Sequence, residues 1–277
     1  MKSVCKVAVE LIRSRRAHSS ASAHQIGGKM CFVNRPDMLR LMPQLVEGET
    51  DDNVVSWTVK ALKKGHVVSV PTDTMYGLAC LAQNSEAVSK VYDIKGQNGH
   101  NPLAICVGEI QDIHKYCNVK VKAELLDDLL PGPVTLVFER SEVLNKDLNP
   151  FTSIVGVRIP DHVFMRRLCQ MCAEPLALTS ANISSRTSPL AVNEFQELWP
   201  KLAVVVDGGP IGDQSRLGST VVNLSVPGKY SIIRTGCALS STVDVLELKY
   251  GLTEEPWENE PLKSPNSTSH AETHTKR

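Results

Sequence analysis

The chain has 277 residues, 42% of them hydrophobic and 22% charged, and its 30 basic and 30 acidic residues cancel. The apolar content is that of a globular protein with a sizeable core, and the neutral balance argues against a dedicated nucleic-acid-binding protein, because phosphate contacts need a basic face. No apolar run is long enough to span a bilayer, which leaves peripheral association with a membrane open.

Residues 1–52 are predicted to form a basic leader and a linker, with a short helix over 38–52. The first 24 residues contain one acidic side chain, Glu10, and five lysines or arginines: Lys2, Lys6, Arg13, Arg15 and Arg16. Apolar residues recur there at helical spacing and serines follow. This composition is typical of a mitochondrial transit peptide, and a disordered basic tail is an equally weighted alternative. We therefore expect the protein in both the cytoplasm and the mitochondrion.

Residues 53–252 are predicted to form the folded domain. Helices are expected at 57–64, 84–92, 109–116, 123–130, 163–171, 191–198 and 240–250. Strands are expected at 67–70, 103–107, 134–138, 154–159, 176–179 and 202–206, followed by a hairpin of 220–224 and 230–234. This mixed order predicts one twisted α/β sheet with helices packed on it. The tail, 253–277, offers too few apolar groups to offset chain entropy and is predicted to be disordered.

Eight cysteines are scattered along the chain. Cys169 and Cys172 have the spacing of a metal or redox pair, but no second pair completes a zinc site. Both fall in a predicted helix beside apolar residues, so burial as small hydrophobic side chains is the favoured interpretation. Scattered reduced thiols indicate an intracellular compartment, and the sequence predicts no protein-bound metal.

Two polar clusters follow apolar strands, where α/β folds place their ligand-binding loops. The first runs from Pro71 to Leu78 and contains Thr72, Asp73, Thr74 and Tyr76, while the second is Thr179-Ser180-Ala181-Asn182. Taken alone, either cluster is explained by turns and helix caps. The pair, with Lys95 between them in the sequence, indicates a site for a small polar or phosphorylated ligand.

Two arginines differ from ordinary surface arginines because each lies at the end of an apolar strand. Arg158 follows Val157, and Arg234 follows Ile233. A charge in such a setting needs an anion or hydrogen-bond acceptors. Together with Lys95, the two arginines could bind two or three negative charges.

The order of these motifs resembles the YrdC family. The matching strings begin at Pro71, Lys95, Asn101, Pro131, Val155, Thr179, Gly218 and Ile232. Any one string is weak, but their joint order is specific and covers roughly residues 55–250. The resemblance implies an α/β sheet curved around a large, positively lined concavity. It also implies synthesis of threonylcarbamoyl-adenylate and pyrophosphate from L-threonine, ATP and bicarbonate or CO₂, with later transfer by a partner complex to a tRNA adenosine beside the anticodon.

The resemblance also assigns roles to individual residues. Those implied to bind ATP are Lys95, Gln97, Asn101, Thr135, Ser180, Asn182 and Arg234, with Lys95 as the catalytic group nearest the phosphates. Those implied to bind threonine are Thr72, Thr74, Tyr76, Arg158, Thr179 and Ser219, with Arg158 on the carboxylate. Magnesium would bind mainly through ATP, without a protein carboxylate cage or an organic cofactor.

One position departs from the family. The family's phosphate motif is Lys-x-Arg, and the third position here is Gln97. A hydrogen bond to a charged group contributes about 1.5–3 kcal/mol and a neutral one about 0.5–1.5 kcal/mol, so we expect weakened ATP handling rather than an inactive protein. Three alternatives stay open: a module with weak RNA binding, carbamoyl-adenylate chemistry as in hydrogenase maturation factors, and a regulatory interaction protein acting through its tails.

Overall fold

The computed structural model describes residues 37–40, 52–96 and 101–257. The predicted leader, apart from 37–40 and Asp52, and Gln97 lie outside these residues. So does the tail beyond Trp257. Among the residues described, no helix is both long and apolar enough to cross a membrane.

The helices lie close to their predicted positions. They are α1 (Asp52–Lys63), α2 (Ser85–Lys95), α3 (Ile110–Tyr116), α4 (Ala123–Leu129), α5 (Val163–Cys172) and α6 (Leu239–Asp244), which continues as a short π-helix over Val245–Lys249. Asn84 caps α2 by accepting a hydrogen bond from the Ala87 amide at 2.9 Å, as expected of an N-cap asparagine. The predicted helix at 191–198 is instead a 3₁₀ segment, Val192–Lys201, broken at Phe195, whose ring is buried in the core.

The strands form one sheet of mixed direction. They are β1 (Asp37–Arg40), β2 (Val68–Val70), β3 (Gly77–Leu81), β4 (Ala104–Cys106), β5 (Cys117–Asn118), β6 (Val134–Arg140), β7 (Ile154–Arg158), β8 (Leu176–Ser180), β9 (Val204–Asp207), β10 (Thr220–Asn223), β11 (Lys229–Arg234) and β12 (Thr253–Glu254). Their order is β1-β9-β2-β3-β8-β4-β7-β6-β10-β11-β12, and β5 pairs with β6. The predicted hairpin of β10 and β11 is confirmed.

Helices cover both faces of the sheet. On one face, α1 and α5 pack together through residues such as Val55, Leu62 and Leu168. On the other face, α2, α3 and α4 contribute to a larger apolar cluster that includes Leu126 and Phe138. The predicted single α/β sheet is thus confirmed. Cys169 and Cys172 are buried and unpaired, and burial raises the pKa of Cys172 to about 11, as expected for structural thiols.

Three predictions at the edges of the fold are wrong or incomplete. The helix predicted over 38–52 is contradicted at Asp37–Arg40, which form β1 and pair with β9, so the sheet includes residues before the predicted boundary at 53. Strand β3 was not predicted, since its short apolar run follows directly on the polar loop. The tail predicted to be disordered begins with β12, which pairs with β11; the Thr253 amide donates to the Gly228 carbonyl and the Glu255 amide to the Tyr230 carbonyl.

Candidate active site

The loop between β2 and β3 is organised by the hydroxyl of Thr72. This oxygen accepts hydrogen bonds from the amides of Thr74 and Met75, both at 3.2 Å, and donates to the carbonyl of Met75 at 2.7 Å. It also lies 3.2 Å from the Thr74 hydroxyl. Local bonds of this kind are why threonine favours turns. Both side chains are buried, so the loop presents its polar groups in a fixed arrangement.

Gly212 is required by the same loop for two reasons. Its φ of +67° is in the left-handed region, which favours glycine. A Cβ at this position would also come within 2.3 Å of the Thr74 carbonyl oxygen. The segment after β9 therefore approaches the loop closely enough to exclude any side chain.

Tyr76 connects the end of the loop between β2 and β3 to the segment after β9 through two hydrogen bonds. Its ring is fully buried, 5.6 Å from that of Phe195, and its hydroxyl donates to the Gly209 carbonyl at 2.6 Å while accepting from the Gly208 amide at 2.9 Å. Burial raises the pKa of Tyr76 to about 12, against the lowering effect of the Gly208 hydrogen bond. The hydroxyl thus has a structural use, and the contact with threonine implied by the family resemblance stays a prediction.

Replacing Tyr76 by phenylalanine is expected to lower the free energy of unfolding by about 1–3 kcal/mol, because a backbone donor and acceptor lose their partner in a buried setting. Urea unfolding would measure this. The control is Tyr250→Phe, since Tyr250 donates to Asp128 at an exposed position. Equal and small effects of the two substitutions would contradict the structural use of Tyr76.

Arg158, at the end of β7, forms a buried ion pair with Asp73. Its Nη2 donates to the Asp73 Oδ1 at 2.6 Å and lies 3.4 Å from the Thr74 hydroxyl. The two charged side chains are only 8% and 7% exposed. The Nε of Arg158 is buried and finds no hydrogen-bond partner in the described part of the chain, a costly condition for a charged donor. An incoming anion would be a suitable acceptor for this guanidinium.

A second group lies around Arg234 at the end of β11. Its Nη2 donates to the Ser219 carbonyl at 2.9 Å and to the Ser219 hydroxyl at 3.1 Å, and this hydroxyl lies 2.7 Å from that of Thr135. Two effects lower the pKa of Arg234: partial burial is the larger, and the positive charge of Arg158 is the smaller. The two arginines therefore influence each other electrostatically, and an anion placed near both would relieve their repulsion.

Lys95, the last residue of α2, is buried against the end of β8. Its Nζ donates to the Ser180 carbonyl at 2.8 Å and lies 3.3 Å from the Ser180 hydroxyl and 3.4 Å from the Asn182 Oδ1. The residue is 3% exposed, and burial lowers the pKa of Lys95 to about 8. Within the described chain, no carboxylate forms an ion pair with this ammonium group. A buried cation with neutral partners is well suited to receive a phosphate.

Asn149 was missed by the sequence analysis. It is fully buried, its Oδ1 accepts from the Leu103 amide at 2.8 Å, and its Nδ2 donates to the Leu103 carbonyl at 2.9 Å. The Tyr92 hydroxyl of α2 donates to the same Oδ1 at 2.9 Å. Asn149 thus ties α2 to the start of β4. Its only sequence signal is an asparagine before a proline, which is too common in loops to stand out.

The structure brings most of the predicted site residues into three hydrogen-bonded groups. They are Lys95, Ser180 and Asn182; Thr72, Thr74 and Arg158; and Thr135, Ser219 and Arg234. The backbone connects the first two groups, since the Ala181 amide donates to the Tyr76 carbonyl at 2.9 Å and Ser180 pairs with Gly77. The positive charge of Arg158 acts on Arg234 and so relates the second group to the third.

Of the predicted site residues that the structure describes, Tyr76, Thr179 and Asn101 are not joined to these groups by the side-chain hydrogen bonds given above. Thr179 is half-buried in β8 opposite Leu78. Asn101 is exposed at the edge of the described chain, and Gln97 lies outside it. The described residues contain no group of three or more histidine, cysteine, aspartate or glutamate side chains that could hold a metal ion. The predicted positive lining of a large concavity stays a prediction.

The sequence of this chain is similar to a known protein family and to named mammalian proteins. The family model Sua5_yciO_yrdC, described as "Telomere recombination", matches residues 60–236. The mouse protein named threonylcarbamoyl-AMP synthase is 63% identical over 198 residues, which are 70% of this chain and 71% of the mouse chain. The human protein of the same name is 62% identical over the same length, with the same shares of each chain.

The fold of this chain is also similar to that of a solved structure. P. abyssi Sua5, crystallised with L-threonine, matches with a TM-score of 0.65 and 25% sequence identity. The match covers 79% of this chain and 62% of the longer P. abyssi chain. The mixed sheet with helices on both faces is therefore a fold shared with this group of proteins.

Proposed function

Because the chain belongs to the Sua5/YciO/YrdC family, we propose that it is a threonylcarbamoyl-AMP synthase. The α-ammonium group of L-threonine first releases a proton to solvent, and the amine then joins bicarbonate, with loss of water, to form a carbamate on the amino nitrogen. A carbamate oxygen then attacks the α-phosphorus of ATP, the bond to the β-phosphate oxygen breaks, and pyrophosphate leaves. The product is threonylcarbamoyl-adenylate, the activated group for tRNA modification beside the anticodon.

The observation that carries this proposal is the environment of Lys95. The Lys95 ammonium is buried at the end of β8, where it contacts a carbonyl, a hydroxyl and an amide oxygen and no carboxylate of the described residues. A charge taken out of water in this way needs an opposite charge. A phosphate oxygen would supply the missing charge. We assign ATP to this group, with Ser180 and Asn182 as neighbours of the phosphates, and with Thr135, Asn101 and Arg234 along the rest of the nucleotide.

The group around Arg158 suits the amino acid substrate. Arg158 would bind the threonine carboxylate, and Thr72, Thr74, Thr179 and Ser219 would surround the rest of the molecule. Displacement at phosphorus depends on positioning and charge neutralisation more than on a protein nucleophile. In this proposal, Lys95 and Arg234 offset the charge that develops on the phosphates.

We propose that magnesium enters with ATP and is held mainly through phosphate oxygens and water, the ligands that Mg²⁺ prefers in nucleotide sites. When bound, it would neutralise phosphate charge and help pyrophosphate to leave. No carboxylate of this chain is assigned to it, and no organic cofactor is proposed.

The test is release of pyrophosphate by the purified full-length chain with ATP, magnesium, bicarbonate and L-threonine. We expect release that requires both threonine and bicarbonate, with serine as the control substrate. Absence of release, combined with retained and strongly salt-dependent tRNA binding, would overturn the synthase assignment in favour of an RNA-binding module.

Gln97→Arg is expected to raise ATP affinity or turnover about five- to tenfold, because a charged guanidinium group, which can donate two parallel hydrogen bonds to a phosphate, replaces the neutral side-chain amide of glutamine. Steady-state kinetics with ATP as the varied substrate would measure the change. The control is Gln83→Arg, a position whose side chain bonds the Val143 carbonyl in another part of the chain. Unchanged ATP kinetics in Gln97→Arg would remove this residue from the phosphate site.

We propose further that a downstream transfer complex consumes the adenylate, and that the protein works in both the cytoplasm and mitochondria. The basic composition of residues 1–24 supports mitochondrial import. Fusing this segment to a fluorescent protein would test it. A purely cytoplasmic signal would contradict the import proposal and leave the catalytic proposal untouched.

A further inference from the structure

Asp73 is the buried charged residue of the site to which the mechanism above gives no role. Its Oδ1 accepts from Arg158 at 2.6 Å and its Oδ2 accepts from the Asp161 backbone amide at 2.9 Å. The side chain is 7% exposed. Asp161 itself turns its carboxylate towards Arg166 at 2.7 Å. Asp73 therefore lies beside the arginine assigned to the substrate, fixed by two hydrogen bonds.

A carboxylate in this position makes Arg158 a poor site for a simple anion. The negative charge of Asp73 offsets that of the guanidinium and repels an incoming carboxylate. A ligand that carries a positive group next to its carboxylate reverses this effect, since each of its charges then meets an opposite charge. An α-amino acid carries both groups on one carbon atom.

We propose that Asp73 and Arg158 form a clamp for a zwitterion, in which Asp73 accepts a hydrogen bond from the α-ammonium group and Arg158 binds the α-carboxylate. An ionised carboxylate has about four acceptor positions, and the two bonds described leave capacity for the ligand. On the arginine side, Nε is buried and has no hydrogen-bond partner among the residues that the structure describes. The inference rests on the proposed function, and it assigns Asp73 the selection of the amino group that becomes the carbamate nitrogen.

The test compares two ligands on two proteins. L-Threonine and (R)-3-hydroxybutyrate, which is threonine without its amino group, are titrated into the full-length wild-type protein and Asp73→Asn. We expect the substitution to weaken threonine binding about 10- to 100-fold, the range for a lost charge-assisted hydrogen bond. The affinity of Asp73→Asn for hydroxybutyrate should equal or exceed that of the wild-type protein. This ligand needs only Arg158, and the substitution removes the repulsion between the Asp73 carboxylate and the ligand carboxylate.

A positioning effect predicts a different pattern. If Asp73 only orients Arg158, Asp73→Asn weakens both ligands to a similar extent, and the clamp is overturned. Asp161→Asn is the matched control, since its carboxylate is on the adjoining turn and pairs with Arg166 instead. It is expected to change neither affinity.

The wild-type protein provides a second measurement that does not depend on the variant folding. The clamp predicts that hydroxybutyrate and threonine methyl ester, each lacking one charge, bind at least about tenfold more weakly than threonine. Equal binding of hydroxybutyrate and threonine overturns it. If the wild-type protein binds threonine but releases no pyrophosphate, the proposed function is refuted and the clamp is kept. If Asp73→Asn binds threonine as tightly as the wild-type protein and turns over at the full rate, the clamp alone is refuted.

Discussion

Lys95→Ala is expected to lower kcat/KM for pyrophosphate release about 10²–10³-fold, the effect of removing one preorganised donor from a developing charge. The ammonium is buried and its partners at Ser180 and Asn182 are neutral. We expect the variant to fold, because the substitution removes a desolvated charge. Kinetics and thermal unfolding, measured together, would separate a catalytic loss from a structural one.

The pH dependence of the same lysine follows from its pKa of about 8 in the folded protein, against an ordinary value of 10.5. As pH rises through 8, the folded protein loses this charge, so ATP affinity should fall between pH 7 and pH 9. The unfolded chain holds the proton up to a higher pH, so between these two pKa values this residue makes the unfolding free energy rise with pH. Lys95→Ala should lack both effects.

Lys90→Ala is the matched control for these measurements. Lys90 lies five residues earlier on α2, is exposed, and donates to the Gly65 carbonyl at 3.0 Å. Its removal should change kcat/KM less than about twofold, as is usual for surface substitutions. Similar kinetics in the two alanine variants would contradict the assignment of Lys95 to the phosphates.

Arg158→Lys is expected to raise KM for threonine about 10- to 100-fold, because the charge is kept while the planar fork that matches a carboxylate is lost. KM for ATP should change far less. Arg158→Ala should also lower the unfolding free energy by about 3–5 kcal/mol, since Asp73 would be left buried without its partner. Steady-state kinetics and urea unfolding would measure the two effects.

Arg166→Lys serves as the control, since Arg166 pairs with the more exposed Asp161 near the same turn. It should leave both KM values and the unfolding free energy nearly unchanged. A rise in KM for ATP rather than threonine in Arg158→Lys would mean that the two arginine roles are exchanged.

Residue patterns were sufficient for the parts of the fold fixed by local chemistry. Asn84 and the apolar spacing after it predict α2, and the turn between β10 and β11 predicts their hairpin. Strand β12 and the Asn149 contacts were not predictable, because each depends on partners distant in the sequence. The same limit applies to Asp73, whose pairing with Arg158 spans 85 residues.

The contacts of Asn149 also bear on how a distant substitution can reach the site. One buried amide holds both Tyr92, on the helix that ends at Lys95, and the backbone of Leu103 at the start of β4. The Ser184 amide holds the Lys95 carbonyl at 3.1 Å from the other side. Loss of the Asn149 side chain would therefore release two elements at once, and the position of the Lys95 ammonium depends on a residue that is assigned to no substrate.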